Sequence, residues 1–496
     1  MNSPYKILSH SVKTGDLEGS EGPLTCMMAR DERSGERVLV VRSPNQDLQF
    51  TQRLYSLFGD QFFALTPENA AILRQMFPWL TPVPMEMDDG GMVIPSFGFG
   101  DRLGQATPGH IQALRAVTSD GDIYPILAQQ SVRENARTGR TPQEVMDDAM
   151  WGVFQEGWQM PWGADADHLK QVSDLPVFVA SGYTFFTVDP GEHVDAEADT
   201  AGVPVLMEKI TGQTWGELGT APLGQKELVY SFQAFCDQAG WRCDTADVEL
   251  GALRAFAKYG RAVIHITKMY RALKELKPGG FDFEVSVDET ETPTSLLEHF
   301  YIVSELRRLG VRFNSLALRF PGRFEKGVDY IGDLSTLEPE LGRHAAIMRQ
   351  FGGYRLSLHS GSDKFSIYPL LVKHAGRSVH VKTAGTSYLE ALRVAAALET
   401  GLFRQVLTLA REHYTTDRVS YHVSAVESRL PDPSKLTDEA LPALLDDFHV
   451  RQALHVTFGS ALNRYRNEIN QMLKSHAEAY DQDLVKHFKR HLEPLV

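Results

Sequence analysis

The chain of 496 residues carries 50 Lys and Arg against 64 Asp and Glu, a formal net charge of −14 at pH 7. That balance argues against a phosphate-backbone partner, which needs clustered cations, but leaves room for a small anion in a local basic pocket. Hydrophobic residues make up 43% of the sequence, enough for a large core, and the length suits one large domain with additions or two to three domains.

The three cysteines, Cys26, Cys236 and Cys243, have no C-x-x-C spacing. So sparse and odd a set suits a reducing cytosol and argues against a disulfide framework. The opening MNSPYKILSH lacks a basic segment followed by an apolar one, and no run of about 18 apolar residues occurs. The expectation is a cytoplasmic protein with no membrane contact.

In chain order, residues 1–90 read as a small α+β segment. "RVLVVRS" is strand-like, and "TPENAAILRQMF" is a helix with Thr66 as N-cap and Pro67 in its first turn. From 91 to about 430 short apolar strands alternate with helices. Nine strand candidates appear: "PSFGFGD", "DIYPILAQQ", "WGADAD", "VFVASGYTFFTVD", "FDFEVSVDE", "FNSLALRF", "YRLSLHSG", "SVHVKTAG" and "RVSYHVSA". Between them "TPTSLLEHFYIVSELRRLG" predicts a helix capped by Thr292, started by Pro293 and ended by Gly310, with Leu296, Phe300, Val303 and Leu306 on one face. "SYLEALRVAAALETG" predicts a capping box of Ser387 and Glu390 and a stop at Gly401. Residues 431–496 read as helices packed on this body. Such alternation implies a parallel sheet, and the expected fold class is α/β, a TIM-like (β/α)8 barrel with one strand candidate too many. An open doubly wound sheet is the alternative, but no G-x-G-x-x-G fingerprint follows a strand, so no nucleotide cofactor is expected.

In a parallel barrel, chemistry gathers at the C-terminal strand ends. Those ends hold Asp101, Asp167, His168, Asp189, Glu284, Asp288, Glu289, Glu325, Lys326, His359, Lys382 and His422. Mixed imidazole and carboxylate ligands suit a divalent cation such as Zn, Mn, Ni or Co, and spare carboxylates suit proton transfer. Singly, His299 and His422 read as structural histidines, and Asp189 equally as a turn residue before Pro190. Glu284 stands out because a carboxylate inside the apolar "FDFEVSV" is costly unless paired.

At "GADADHLK", "FDFEVSVDETETPTSLLEHF", "RFPGRFEKGVDYIGD" and "LHSGSDKFSIYP" the sequence resembles the tagaturonate epimerase family. The resemblance implies a metal-dependent barrel enzyme that interconverts the keto-uronates tagaturonate and fructuronate in hexuronate catabolism. It implies His168, Glu325 and His359 as metal ligands and Asp167 and Glu284 as the acid–base pair. Lys364, Lys382, Lys326 and Arg319 are then the candidates for the substrate carboxylate, with Asp363 orienting Lys364 or His359. Epimerisation of neutral ketoses such as tagatose and fructose, aldolase action, and a non-catalytic sugar-acid-binding protein are the alternatives. A homo-oligomer is compatible with all of them.

Overall fold

The computed structural model describes residues 5–18, 22–43, 49–57, 59–85, 94–118 and 121–496. The boundary expected at residue 90 lies outside them.

The N-terminal part is an antiparallel sheet of β1 (Tyr5–Ile7), β2 (Lys13–Gly15), β3 (Leu24–Asp31), β4 (Arg37–Arg42), β5 (Arg53–Leu57) and β6 (Asp60–Phe63). Its order is β1-β3-β4-β6-β5, with β2 also on β3. The helix Pro67–Met76 follows, and the Thr66 hydroxyl accepts from the Asn69 amide as the expected cap.

Eight parallel strands close the barrel: β7 (Ser96–Gly100), β8 (Tyr124–Ser131), β9 (Gly163–Leu169), β10 (Phe185–Val188), β11 (Asp282–Ser286), β12 (Ser315–Ala317), β13 (Arg355–Leu358) and β14 (Val379–Thr383). Each pairs with the next, and β14 returns to β7. The ninth candidate, "RVSYHVSA", is not a strand: Arg418–Ser420 is a 3-10 turn and the residues after it are irregular. "VFVASGYTFFTVD" divides into a helix, Leu175–Ala180, and β10. Pro176 sits in the first turn of that helix and Gly182, at φ +85°, turns the chain after it.

Helix starts also differ from the sequence reading. Helix Leu296–Arg308 is capped by Ser295 in a reciprocal box with Glu298, because the Thr292 hydroxyl is drawn instead to Asp199 and Lys258. Ser387 lies inside helix Thr386–Leu398, its hydroxyl donating to the Gly100 carbonyl, while Glu390 pairs with Arg393. The break falls at Glu399, and Gly401 lies in the first turn of the next helix, Thr400–Asp417. Cys236 and Cys243 are disulfide-bonded across a seven-residue separation, a single bridge that the reading of the cysteines as a set suited to a reducing cytosol did not anticipate, and Cys26 is free and buried.

The N-terminal end of the barrel is plugged by an apolar cluster of Met85, Tyr124, Ile126 and Phe185. Below it the Met85 amide donates to the Asp282 carboxylate at 2.7 Å, and burial pushes that carboxyl up to about 7. At the other flank the C-terminal helix Ala477–Leu492 lies against helices Thr107–Val117 and Thr386–Leu398. A Cβ on Gly109 would stand 2.7 Å from Leu484 Cδ1, so the bare glycine sets how closely these helices approach. No helix among the described residues is long and apolar enough to cross a membrane.

Candidate active site

Strand alternation places Asp165 and Asp167 of β9, Glu284 and Ser286 of β11, and His380 and Lys382 of β14 two residues apart, each pair on one strand face. All six are buried. Lys382 stands at their centre, its ammonium 2.6 Å from Asp165, 2.8 Å from Glu284 and 2.9 Å from Asp167. It also donates to the Thr187 hydroxyl of β10. Burial alone would lower the Lys382 pKa, but the three carboxylates override it and hold the ammonium well above the ordinary lysine range. Burial pushes Asp165 up to about 7 against the pull of Lys382. Glu284 is buried too, but Lys382 and the neighbouring histidines hold it well below the usual carboxylate range.

Two histidines close an arc over this cluster. His168 Nδ1 lies 2.7 Å from Asp167 Oδ1, and His359 Nε2 lies 2.6 Å from Glu284 Oε1. Against the cost of burial, the carboxylates hold the two imidazoles up at about 9 and about 10. The rings stand 5.1 Å apart between centroids. The His168 backbone is left-handed, at φ +56°, where a non-glycine residue is uncommon. On the far side His359 Nδ1 lies 3.3 Å from Asp288 Oδ1, and the Ser286 hydroxyl donates to that carboxylate at 2.5 Å.

His168, Asp288 and His359 each offer a ligand atom within 4.8 Å of the others. This donor set fits a divalent cation on two counts. His168 Nε2 is buried without a hydrogen-bond partner. Each imidazole has one nitrogen fixed by a carboxylate, Asp167 or Glu284, the arrangement that orients metal-binding histidines and selects their tautomer.

The expected residues therefore divide. His168 and His359 come together, with Asp167 and Glu284 directly behind them. Glu325 Oε2 accepts from the Ser424 amide and hydroxyl and from Gln452, each at 2.8 Å, its Oε1 lies 3.6 Å from Arg323, and the carboxylate that groups with the two histidines is Asp288. Lys382 spends its donors on Asp165, Asp167, Glu284 and Thr187. Lys364 is fully buried and donates to the carbonyls of Glu325, Val328 and Ser362, and burial pushes its pKa down to about 7. Asp363 contacts neither His359 nor Lys364 through its carboxylate, which is taken by Arg451 and His487. Asp101 accepts from three backbone amides of its own loop, and Asp189 from the Gly191 amide, which is the turn role. His299 is buried between His344 and Tyr354.

A cavity of about 360 Å³ opens beside His359, within the size range of small-molecule sites. His359, Asp288, Glu289 and Glu325 line it along with Arg319, Arg323 and Lys326, and His422 lies on its wall. Lys326 donates to the Ser360 hydroxyl at 2.5 Å. A larger hollow of about 700 Å³ lies between the N-terminal sheet and the barrel helices, where Arg140 and Asp148 pair with each other at 2.6 Å.

Asp165, Thr187, Ser286, Ser315 and His380 were not singled out from the sequence. The i, i+2 spacing from Asp167, Glu284 and Lys382 was the available signal for Asp165, Ser286 and His380.

A model of the tagaturonate epimerase family, UxaE, matches residues 20–495. A tagaturonate/fructuronate epimerase of Thermotoga maritima is 45% identical over 500 residues, covering 99% of this chain and 97% of that protein. Two crystal structures of the fructuronate-tagaturonate epimerase UxaE from Cohnella laeviribosi, a one-glycerol complex and the native form, are similar at TM-score 0.85. Their identities are 34% and 33%, covering 99% of this chain and 96% of theirs.

Proposed function

Since the chain belongs to the tagaturonate epimerase family and is thus an epimerase, we propose that it interconverts tagaturonate and fructuronate with the help of a divalent cation. The observation that carries this reading is the pair of carboxylate-backed histidines with Asp288, beside a cavity whose lining includes Arg319, Arg323 and Lys326.

The two sugar acids differ at a carbinol carbon two bonds from the ketone, so its hydrogen is not activated by the carbonyl. Inversion follows if the carbinol hydroxyl loses its proton and the bond to the carbon next to the ketone breaks. The aldehyde fragment then turns and re-adds through its other face. Direct deprotonation and reprotonation at the carbinol carbon is the second route. His168, His359 and Asp288 would hold the ion, with Glu325 on the same cavity wall. Bound there, a divalent cation supplies Lewis-acid stabilisation of the negative charge that develops on the ketone side.

Proton transfer falls to Asp167 and Glu284. The hydrogen bonds of Asp167 run through Oδ1, leaving Oδ2 for a substrate hydroxyl. Both oxygens of Glu284 are engaged, by Thr187, His359 and Lys382 on one side and Ser315 on the other. Glu284 therefore takes part through the continuous chain Asp167–Lys382–Glu284–His359. Lys382 keeps these buried carboxylates ionised, and Lys326, Arg319 and Arg323 receive the substrate carboxylate. Lys364 pins the loop beneath them.

The test is to strip the purified protein with chelator, add tagaturonate, and follow fructuronate by NMR before and after restoring Zn, Mn, Ni or Co. Conversion only with metal supports the reading. Full conversion by the stripped protein overturns the metal role, and conversion of tagatose but not tagaturonate overturns the substrate.

A further inference from the structure

His359 is the first residue of a loop held in an unusual shape. Ser360 and Asp363, neither a glycine, sit at φ +51° and +62°. Such conformations persist only where the surroundings over-determine them. Gly361 between them donates to the Lys382 carbonyl at 2.9 Å, and a Cβ there would stand 2.7 Å from Val381 Cγ1. The Thr386 hydroxyl donates to Ser362.

The strongest hold comes from far along the chain. Asp363 Oδ1 is 2.5 Å from His487 Nε2 and 3.5 Å from His491 Nε2, and Oδ2 pairs with Arg451. His487 and His491 are one turn apart on helix Ala477–Leu492, and Arg451 lies on helix Phe448–Val456. Arg451 Nε also donates to the Gly327 carbonyl at 2.8 Å, and Lys364 to those of Glu325 and Val328. The loop carrying Glu325 and Lys326 is thereby bolted to the loop that follows His359.

We propose that Asp363, gripped by Arg451 and His487, is a positioning residue that fixes His359 for metal binding and makes the C-terminal helices a working part of the site. The inference rests on the metal-dependent reading above. Asp363, His487 and His491 could in geometry also surround a cation. Charge argues against one: Arg451 pairs with Asp363, and the second carboxylate here, Glu390, 3.3 Å from His487 Nδ1, pairs with Arg393, so both are already balanced and a dication would leave a buried positive surplus.

The test titrates Zn or Mn into stripped protein by calorimetry. Wild type should bind one ion, and Asp363→Asn should bind it about 10- to 100-fold more weakly, with kcat recovering at excess metal. His487→Leu should behave alike, while His487→Gln, which keeps a donor, should stay near wild type. These helical variants cover the case in which Asp363→Asn does not fold. Val41→Ala, in the N-terminal sheet, should lower the unfolding temperature without changing metal affinity. Unchanged affinity in Asp363→Asn or His487→Leu overturns the proposal. So does a second wild-type equivalent that His487→Leu loses, which would make the cluster a metal site. A wild type that binds no metal and stays active overturns instead the function on which the proposal rests.

Discussion

Lys382→Met removes one ammonium from three buried carboxylates while keeping the length of the side chain. At 2.8 Å, with an effective dielectric near 20, each contact is worth about 6 kcal/mol of gross attraction, most of which desolvation offsets. Breaking such a buried cluster costs about 3–5 kcal/mol net, because the partners stay behind uncompensated. Asp165, already pushed up to about 7, then takes a proton, and the hydrogen-bonded chain from Asp167 to Glu284 is cut. The unfolding midpoint should fall, and kcat should drop by about 100- to 1,000-fold, as expected when a charge-stabilising group is lost. The decisive assay compares tagaturonate with any neutral ketose the wild type accepts. An organiser of the carboxylates affects both equally. A loss confined to tagaturonate, expressed in KM, would refute this reasoning and return Lys382 to the role of gripping the substrate carboxylate.

Asp288→Asn should weaken metal binding more than Glu325→Gln does, read by elemental analysis after dialysis; the reverse order would make Glu325 the third ligand. Arg319→Ala should raise KM for tagaturonate by about 10- to 100-fold, the worth of a charged hydrogen bond, and leave the KM of a neutral ketose unchanged. Metal affinity should weaken as pH falls below about 9, by up to tenfold per unit for each proton displaced, because His168 and His359 are held protonated at about 9 and about 10 and the ion must displace those protons. Calorimetric titrations at pH 6, 7 and 8 measure this. Both folded values lie above the ordinary 6.5, so the stability these rings lend the metal-free protein is complete below about 6.5 and is lost as pH rises through 9 to 10. The metal-free midpoint should therefore decline across that window, and a rise would contradict the assignment.

The barrel was legible because its strands are short apolar runs ending in polar residues, and period-two alternation carries Asp165 with Asp167 and His380 with Lys382. "RVSYHVSA" misled because β-branched and aromatic residues also suit an irregular segment packed over the site. Thr292 looked like a cap, but its hydroxyl was claimed by Lys258 and Asp199 from other elements, which local spacing does not register. His168 and His359 were readable as strand-end residues. That Asp288, and not Glu325, would stand with the two histidines was not, since it depends on how the loops after two different strands fold back. Nor were the three carbonyls around Lys364 legible, and the partners of Asp363 lie 88 and 124 residues further along the chain.

Anomalous scattering from crystals soaked in Zn or Mn, recorded at the edge of that metal, tests the central claim most directly. A strong peak within bonding distance of His168 Nε2, His359 and an Asp288 oxygen is the predicted result. A peak confined to Asp363, His487 and His491, or none in a crystal of active protein, would contradict it.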